Sequence, residues 1–270
     1  DQAFPIQVVS LMAWWGTVLG GTLGFMFGGP LGALLGAALG RNFDRGIKIT
    51  DKHGAFGAGQ QERVQAAFFT TTFSVMGYIA KVDGKVTADE IAAAEGIMSH
   101  MQLGAVQRKA AIKLFNEGKK DGFPLDDIIM QFRRECMRRR NLAQVFLEIQ
   151  IATAMADGHL HASERRVLSG IGEQLGFSRA DIEHLFNMGG PGPAAGTHKQ
   201  SISKAYKILD VDKSASDAEV KKAYRRLMSQ HHPDKLIAKG LPEEMIKFAT
   251  EKTQEIKAAY EQIKDSRRSA

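Results

Sequence analysis

Cysteine is nearly missing from this chain. Cys136 is the only one in 270 residues, which excludes an intramolecular disulfide and fits a reducing compartment. Nothing near it forms a catalytic arrangement, so a small residue on a helix face is its expected role. A phosphate-binding glycine loop, a catalytic triad and a metal-ligand cluster are also lacking, so no enzyme activity and no cofactor are expected. His159 with His161, and His231 with His232, have none of the cysteine or further histidine partners that a zinc site needs. Arg133-Arg134 and Arg138-Arg139-Arg140 are basic clusters in a chain of net charge +6. No aromatic interleaving or base-reading motif accompanies them. They read as solvated or ion-paired helix faces, and no nucleic acid partner is expected. Strand signals are missing as well, which leaves an all-α fold.

Charge is absent from residues 2–40. Between Gln2 and Gly40 there is no ionisable side chain, whereas a spanning helix needs only about 20 apolar residues. The basic residues Arg41, Arg45 and Lys48 follow this stretch rather than precede it, unlike a cleavable leader. The positive-inside rule then places the N-terminus outside and everything after residue 41 in the cytoplasm. Trp14 and Trp15 mark the outer interface, and a single span is expected over Trp15 to Leu39. Within it Gly16, Gly20, Gly24, Gly28, Gly32, Gly36 and Gly40 keep a strict four-residue step. Small residues at that spacing let two backbones approach closely, so a homodimer through the membrane helix is expected. Gly28-Gly29-Pro30 either kinks the span or marks a hairpin.

The expected layout is an N-terminus and span over 1–40, a polar juxtamembrane segment over 41–60 and a helical domain over 61–188. A Gly/Pro linker over 189–200 and a second helical domain over 201–270 follow. The linker, rich in glycine and proline, should let the C-terminal domain swing. In the central domain, helices are predicted over Glu62–Val82, Thr87–Met101, Ala105–Gly118, Leu125–Arg139, Leu142–Ala156, Ser163–Leu175 and Arg179–Asn187, with breaks at glycine and proline. Two breaks repeat at an offset of 74 residues. Ala80-Lys81-Val82-Asp83-Gly84 through Glu90 matches Ala154-Met155-Ala156-Asp157-Gly158 through Glu164. Asp83, Glu90, Asp157 and Glu164 would be hard oxygen ligands for a divalent cation. Helix punctuation is the favoured account, with each glycine in a left-handed C-cap and each glutamate capping the next helix. The duplicated pattern resembles the TerB-like helical domain.

The C-terminal domain is organised around His232-Pro233-Asp234. Ser216-Asp217-Ala218-Glu219 has the form of a capping box. Val220, Ala223, Tyr224, Leu227 and Met228 then recur at helical steps, with Lys221, Lys222, Arg225 and Arg226 on the other faces. Pro233 should end this helix. A second helix is predicted after Pro242, with Met245, Phe248, Ala249, Ile256, Ala259, Tyr260 and Ile263 packing back on the first. The blocks Tyr206-Lys207-Ile208-Leu209, Val220 to Leu227, His232-Pro233-Asp234-Lys235 and Ile256 to Tyr260 together resemble a J-domain. Asp210 departs from the family, which usually has glycine after its first helix.

The whole layout resembles the DjlA family, membrane-anchored DnaJ-like co-chaperones of the bacterial inner membrane. That resemblance implies a J-domain that docks on a DnaK-type chaperone and stimulates its ATP hydrolysis. By the same resemblance Lys221, Tyr224, Arg225 and Arg226 match the docking face and His232, Pro233 and Asp234 the essential tip, with Lys235 also in the chaperone-binding set. The client proteins are unknown. An alternative is a membrane-tethered scaffold that acts mainly through the TerB-like domain.

Overall fold

The structure, a computed structural model, describes residues 29–39, 60–82, 84, 88–101, 103–137, 139–156, 158–188, 202–242 and 245–268. Among these, all regular structure is helical. The helices are α1 (Gly29–Leu39), α2 (Gln60–Ile79), α3 (Ala88–His100), α4 (Ala105–Gly118), α5 (Leu125–Glu135) and α6 (Arg140–Ala154). They continue with α7 (Ala162–Gln174), α8 (Arg179–Met188), α9 (Ile202–Ile208), α10 (Asp217–His231), α11 (Pro233–Ala238) and α12 (Ile246–Arg268).

The central domain is built around α2. Every residue from Val64 to Gly77 is buried, as expected of a helix packed on all sides. The rings of Phe68 on α2, Phe132 on α5 and Phe146 on α6 form one aromatic cluster, with centroids 4.8 to 6.4 Å apart. Edge-on and tilted contacts at this separation suit the ring quadrupoles. The α2–α4 crossing is closer still. A Cβ at Gly77 would stand 2.0 Å from the Phe115 carbonyl oxygen, and one at Gly118 only 1.8 Å from that of Ser74. Two glycines, one on each helix, therefore set the crossing distance.

The two Asp-Gly breaks are built alike. Gly84 and Gly158 both take positive φ, +101° and +90°. Each N–H donates to the carbonyl three residues back, on Lys81 and Met155, at 2.9 Å. Glu164 then caps α7 by accepting the His161 N–H at 2.9 Å. That bond assigns the Glu164 carboxylate to helix capping. Asp83, Asp157 and the side chain of Glu90 lie outside the described residues, and no group of three or more metal-ligating side chains forms among those that are described.

The N-terminal region departs from the expected span. Among the described residues no helix is long and apolar enough to cross a membrane. The described part, α1, has 11 residues, about 16 Å of helix against roughly 30 Å of hydrocarbon. Leu31, Leu34, Leu35 and Ala38 are buried in the same core as the bundle. The Leu31 N–H donates to Gln131 Oε1 at 3.0 Å. Residues 15–28 of the expected span lie outside the described residues. Leucines at helical spacing satisfy an apolar protein groove as readily as lipid, so α1 by itself does not decide between the two. Pro30 stands in the first turn, where its missing N–H costs nothing, so it neither kinks α1 nor forms a turn within it. Gly32 is buried and Gly36 opens onto free space, while Gly16, Gly20, Gly24, Gly28 and Gly40 lie outside the described residues.

The C-terminal domain has its own core of Tyr206, Leu209, Val220, Leu227, Ile256 and Ile263, and the Tyr224 ring stacks on Tyr260 at 4.3 Å. Pro233 ends α10 at His231, as expected, and begins α11 in the first-turn position that proline favours. One expectation needs correction. Met245 and Ala249 do not pack back on α10. They are buried, with Leu236 and Leu241, in the central-domain core. Gly240, at φ +97°, brings the backbone so near α2 that a Cβ there would lie 2.8 Å from Val64 Cγ1. The linker over 189–200 lies outside the described residues, and the domain expected to swing on it rests against the bundle.

Cys136, just past α5, is 6 % exposed, and burial pushes its thiol up to about 12. At pH 8 the thiolate is then a minute fraction, so iodoacetamide should label Cys136 only after denaturation. Rapid labelling of the native protein would contradict this packing. Gly77→Ala or Gly118→Ala must push α2 and α4 apart and should destabilise the protein by about 1–3 kcal/mol or more, read by chemical denaturation.

Candidate functional site

The candidate site is the junction of α10 and α11. α10 starts where Ser216 Oγ accepts the Glu219 N–H at 3.3 Å and a Glu219 carboxylate oxygen accepts the Ser216 N–H at 2.7 Å. These Ser216 donors, the backbone N–H foremost, hold the Glu219 carboxyl below its ordinary range. The stripe residues Val220 and Leu227 of α10 enter the core, which turns Lys221, Lys222, Arg225 and Arg226 outward, all exposed. Lys221 and Arg225 form no ion pair among the described residues. Tyr224 is half-buried, its ring committed to Tyr260.

The preceding turn keeps its geometry without glycine. Asp210 takes φ +55°, the left-handed conformation that aspartate tolerates better than most side chains. Its carboxylate accepts from Arg226 at 3.0 Å and lies 3.0 Å from His184 Nδ1 on α8. The departure from glycine is thus compensated by two cationic or polar partners, one of them in the central domain.

At the tip, His232 leaves helical geometry with ψ 123° and serves as the N-cap position of α11. His232 Nδ1 and Asp234 Oδ2 stand 3.9 Å apart, with side-chain exposures of 46 % and 87 %. The imidazole and carboxylate thus share one corner, loosely paired and open on the carboxylate side. Lys235 Nζ donates to Ser229 Oγ at 2.7 Å, a bond that ties the first turn of α11 to the last turn of α10.

Residues that sequence reasoning passed over brace the site. Arg267, near the end of α12, donates to Tyr206 Oη at 2.9 Å, Asp217 Oδ1 at 2.6 Å and the Ala215 carbonyl at 2.6 Å. It clamps the start of α10 to the last helix. His231 is the other omission. Its side chain is 1 % exposed and sits 3.6 Å from Glu148 Oε2 on α6, so adjacent histidines face opposite ways. Its place next to His232 was the available signal, and it pointed to no partner far off in the chain.

Comparison with known proteins covers almost the whole chain. A family model for the DjlA co-chaperone transmembrane domain matches residues 12–61, one for the tellurite resistance protein TerB matches 70–186, and one for the DnaJ domain matches 204–270. A protein of Photobacterium profundum called co-chaperone protein DjlA is 43 % identical over 272 residues, covering 93 % of this chain and 98 % of its own. The chain belongs to the DjlA co-chaperone family. Proteins of the same name are 43 % identical in Coxiella burnetii, with 95 % and 99 % covered, and 42 % identical in Escherichia coli O157:H7, with 97 % and 96 % covered. No solved structure matches. Membership makes this a J-domain co-chaperone with an N-terminal membrane anchor, and the α10–α11 corner lies within the stretch that the DnaJ-domain model matches.

Ser216→Ala removes one arm of the cap and should lower stability by about 1 kcal/mol. An unchanged midpoint in urea would mean that the α12 clamp through Arg267 alone fixes the start of α10.

Proposed function

We propose that this DjlA-family chain stimulates ATP hydrolysis by a DnaK-type chaperone, through α10 and the corner that follows it. The carrying observation is the pairing of an exposed cationic helix face with an imidazole–carboxylate corner. Lys221 and Arg225 supply long-range attraction to an acidic partner surface and govern the association rate. Arg226 and Lys235 add charge, though each is already held by Asp210 or Ser229. Tyr224 shapes the face through its stack rather than as a free anchor. His232, Pro233 and Asp234 supply the orientation-specific contacts, which favour the partner's hydrolysis-competent state only by binding it better than the other state.

The central domain acts as a recruitment or regulatory module in this reading, and the anchor places the J-domain at the cytoplasmic face of the inner membrane, where the partner and ATP are found. Self-association through the membrane helix is assigned to the four-step glycines Gly16, Gly20, Gly24, Gly28, Gly32, Gly36 and Gly40; within α1, Gly32 is buried and Gly36 exposed.

The decisive test is single-turnover ATP hydrolysis by a DnaK-type chaperone with the purified, detergent-solubilised chain. His232→Gln should abolish stimulation and leave the circular dichroism unchanged; surviving stimulation would refute the assignment of the tip. Arg225→Glu should slow association by about tenfold at low salt, with a smaller deficit at high salt. A deficit independent of ionic strength would rule out steering.

A further inference from the structure

The J-domain does not hang free of the central domain. Leu236, Leu241, Met245 and Ala249 are buried in the core that α2 and α6 help to form. Two side chains of the bundle donate to J-domain carbonyls: Gln61 Nε2 to Ile237 at 3.3 Å and Asn141 Nδ2 to Gln230 at 3.1 Å. Gln144 Nε2 stands 3.5 Å from His231 Nε2, beside Glu148. The contact covers one side of α11 and the chain that follows it, while Lys221 and Arg225 on α10 stay exposed.

The contact is also imperfect. Seven buried side-chain polar atoms lack a hydrogen-bond partner among the described residues, and three lie in this seam: Arg139 Nη1 and Glu148 Oε2 of the bundle and His231 Nδ1, the last two 3.6 Å apart. Buried polar atoms left unmatched weaken an interface, because each loses water without recovering a bond. An apolar patch holds the domains together, and the unmatched polar atoms buried beside it weaken the hold.

We infer that the central domain is an intramolecular clamp on the J-domain. Docked, the chain can still be approached through α10, while the Leu236 side of α11 is covered by the bundle and Asp234 stays exposed. Released, the corner can be engaged from both sides. The inference rests on the proposed stimulation of a DnaK-type ATPase, and it assigns to the α2–α6 face the control of that stimulation.

The test uses the full chain and two pairs of substitutions, neither in the partner-binding set. Gln61→Glu with Asn141→Asp replaces both donors by isosteric acceptors that face carbonyl oxygens. Both positions lie in the first turns of α2 and α6, where an acid suits the helix dipole, so the bundle should keep its thermal midpoint. Loss of two hydrogen bonds should shift the docking equilibrium by about tenfold or more toward the open form. The radius of gyration in small-angle scattering should rise, and maximal ATPase stimulation should increase severalfold with little change in partner affinity. The second pair, Val64→Cys with Gly240→Cys, locks the seam. A Cβ at Gly240 would lie 3.1 Å from Val64 Cβ, a few tenths of an ångström inside the usual disulfide spacing of about 3.5–4.5 Å. The oxidised protein should bind partner yet stimulate weakly, and reductant should restore stimulation. Equal stimulation by oxidised and reduced forms, or an open double variant that stimulates no more than the parent, would overturn the clamp. Failure of the cysteines to cross-link, with scattering unchanged in the first pair, would overturn the docking itself. If neither parent nor variants stimulate while scattering still reports opening, the proposed partner is wrong and the docking stands.

Discussion

The burial of His231 is the constraint on which the C-terminal half depends. It is the last residue of α10, so its direction is fixed by the helix and not by a flexible loop. Because it points into the bundle, His232, one residue on and off the helix, must point away from it. Pro233 enforces the change by disfavouring helical geometry at the residue before it. The orientation of the functional corner and the position of the whole J-domain are therefore one structural decision. A glutamate on α6 beside the buried imidazole, and Asp210 bridging α8 to α10, fix the same relationship from two sides.

The central bundle supplies the rigid counterpart. Its middle helix is buried on every face and held to α4 at backbone distance by Gly77 and Gly118. A bundle so tightly crossed offers a fixed platform, and both α1 and the J-domain exploit it by inserting leucines. The two guests differ in kind. α1 contributes an almost wholly apolar helix with one buried bond to Gln131, whereas the J-domain seam also buries polar atoms on both sides that make no hydrogen bond.

Much of this was legible in the sequence. The capping box at Ser216 follows from local chemistry, as does the left-handed glycine in each Asp-Gly turn, because a residue and its near neighbours decide them. The J-domain core also followed from helical spacing, through Tyr206, Val220, Leu227 and Ile256. What was not legible is pairing at a distance. The apolar residues Met245 and Ala249 carry the right period for packing on α10, but periodicity does not say which surface a stripe meets. The same ambiguity holds for residues 29–39, whose leucines suit lipid and protein alike. Asp210 was readable as a departure from glycine, yet its rescue by Arg226 and His184 needs two residues far apart in the chain. Arg267 carried no motif at all.

The central claim is that the J-domain rests on the bundle and leaves it when the corner is engaged. Amide hydrogen exchange of the full chain, with and without an ATP-loaded DnaK-type chaperone, tests this most directly. The account predicts slow exchange at Leu236, Leu241 and Met245 in the free chain, together with faster exchange at the first turns of α2 and α6 once the chaperone is bound. Equal exchange at those turns in both conditions, or fast exchange at Leu236 and Leu241 in the free chain, would contradict it.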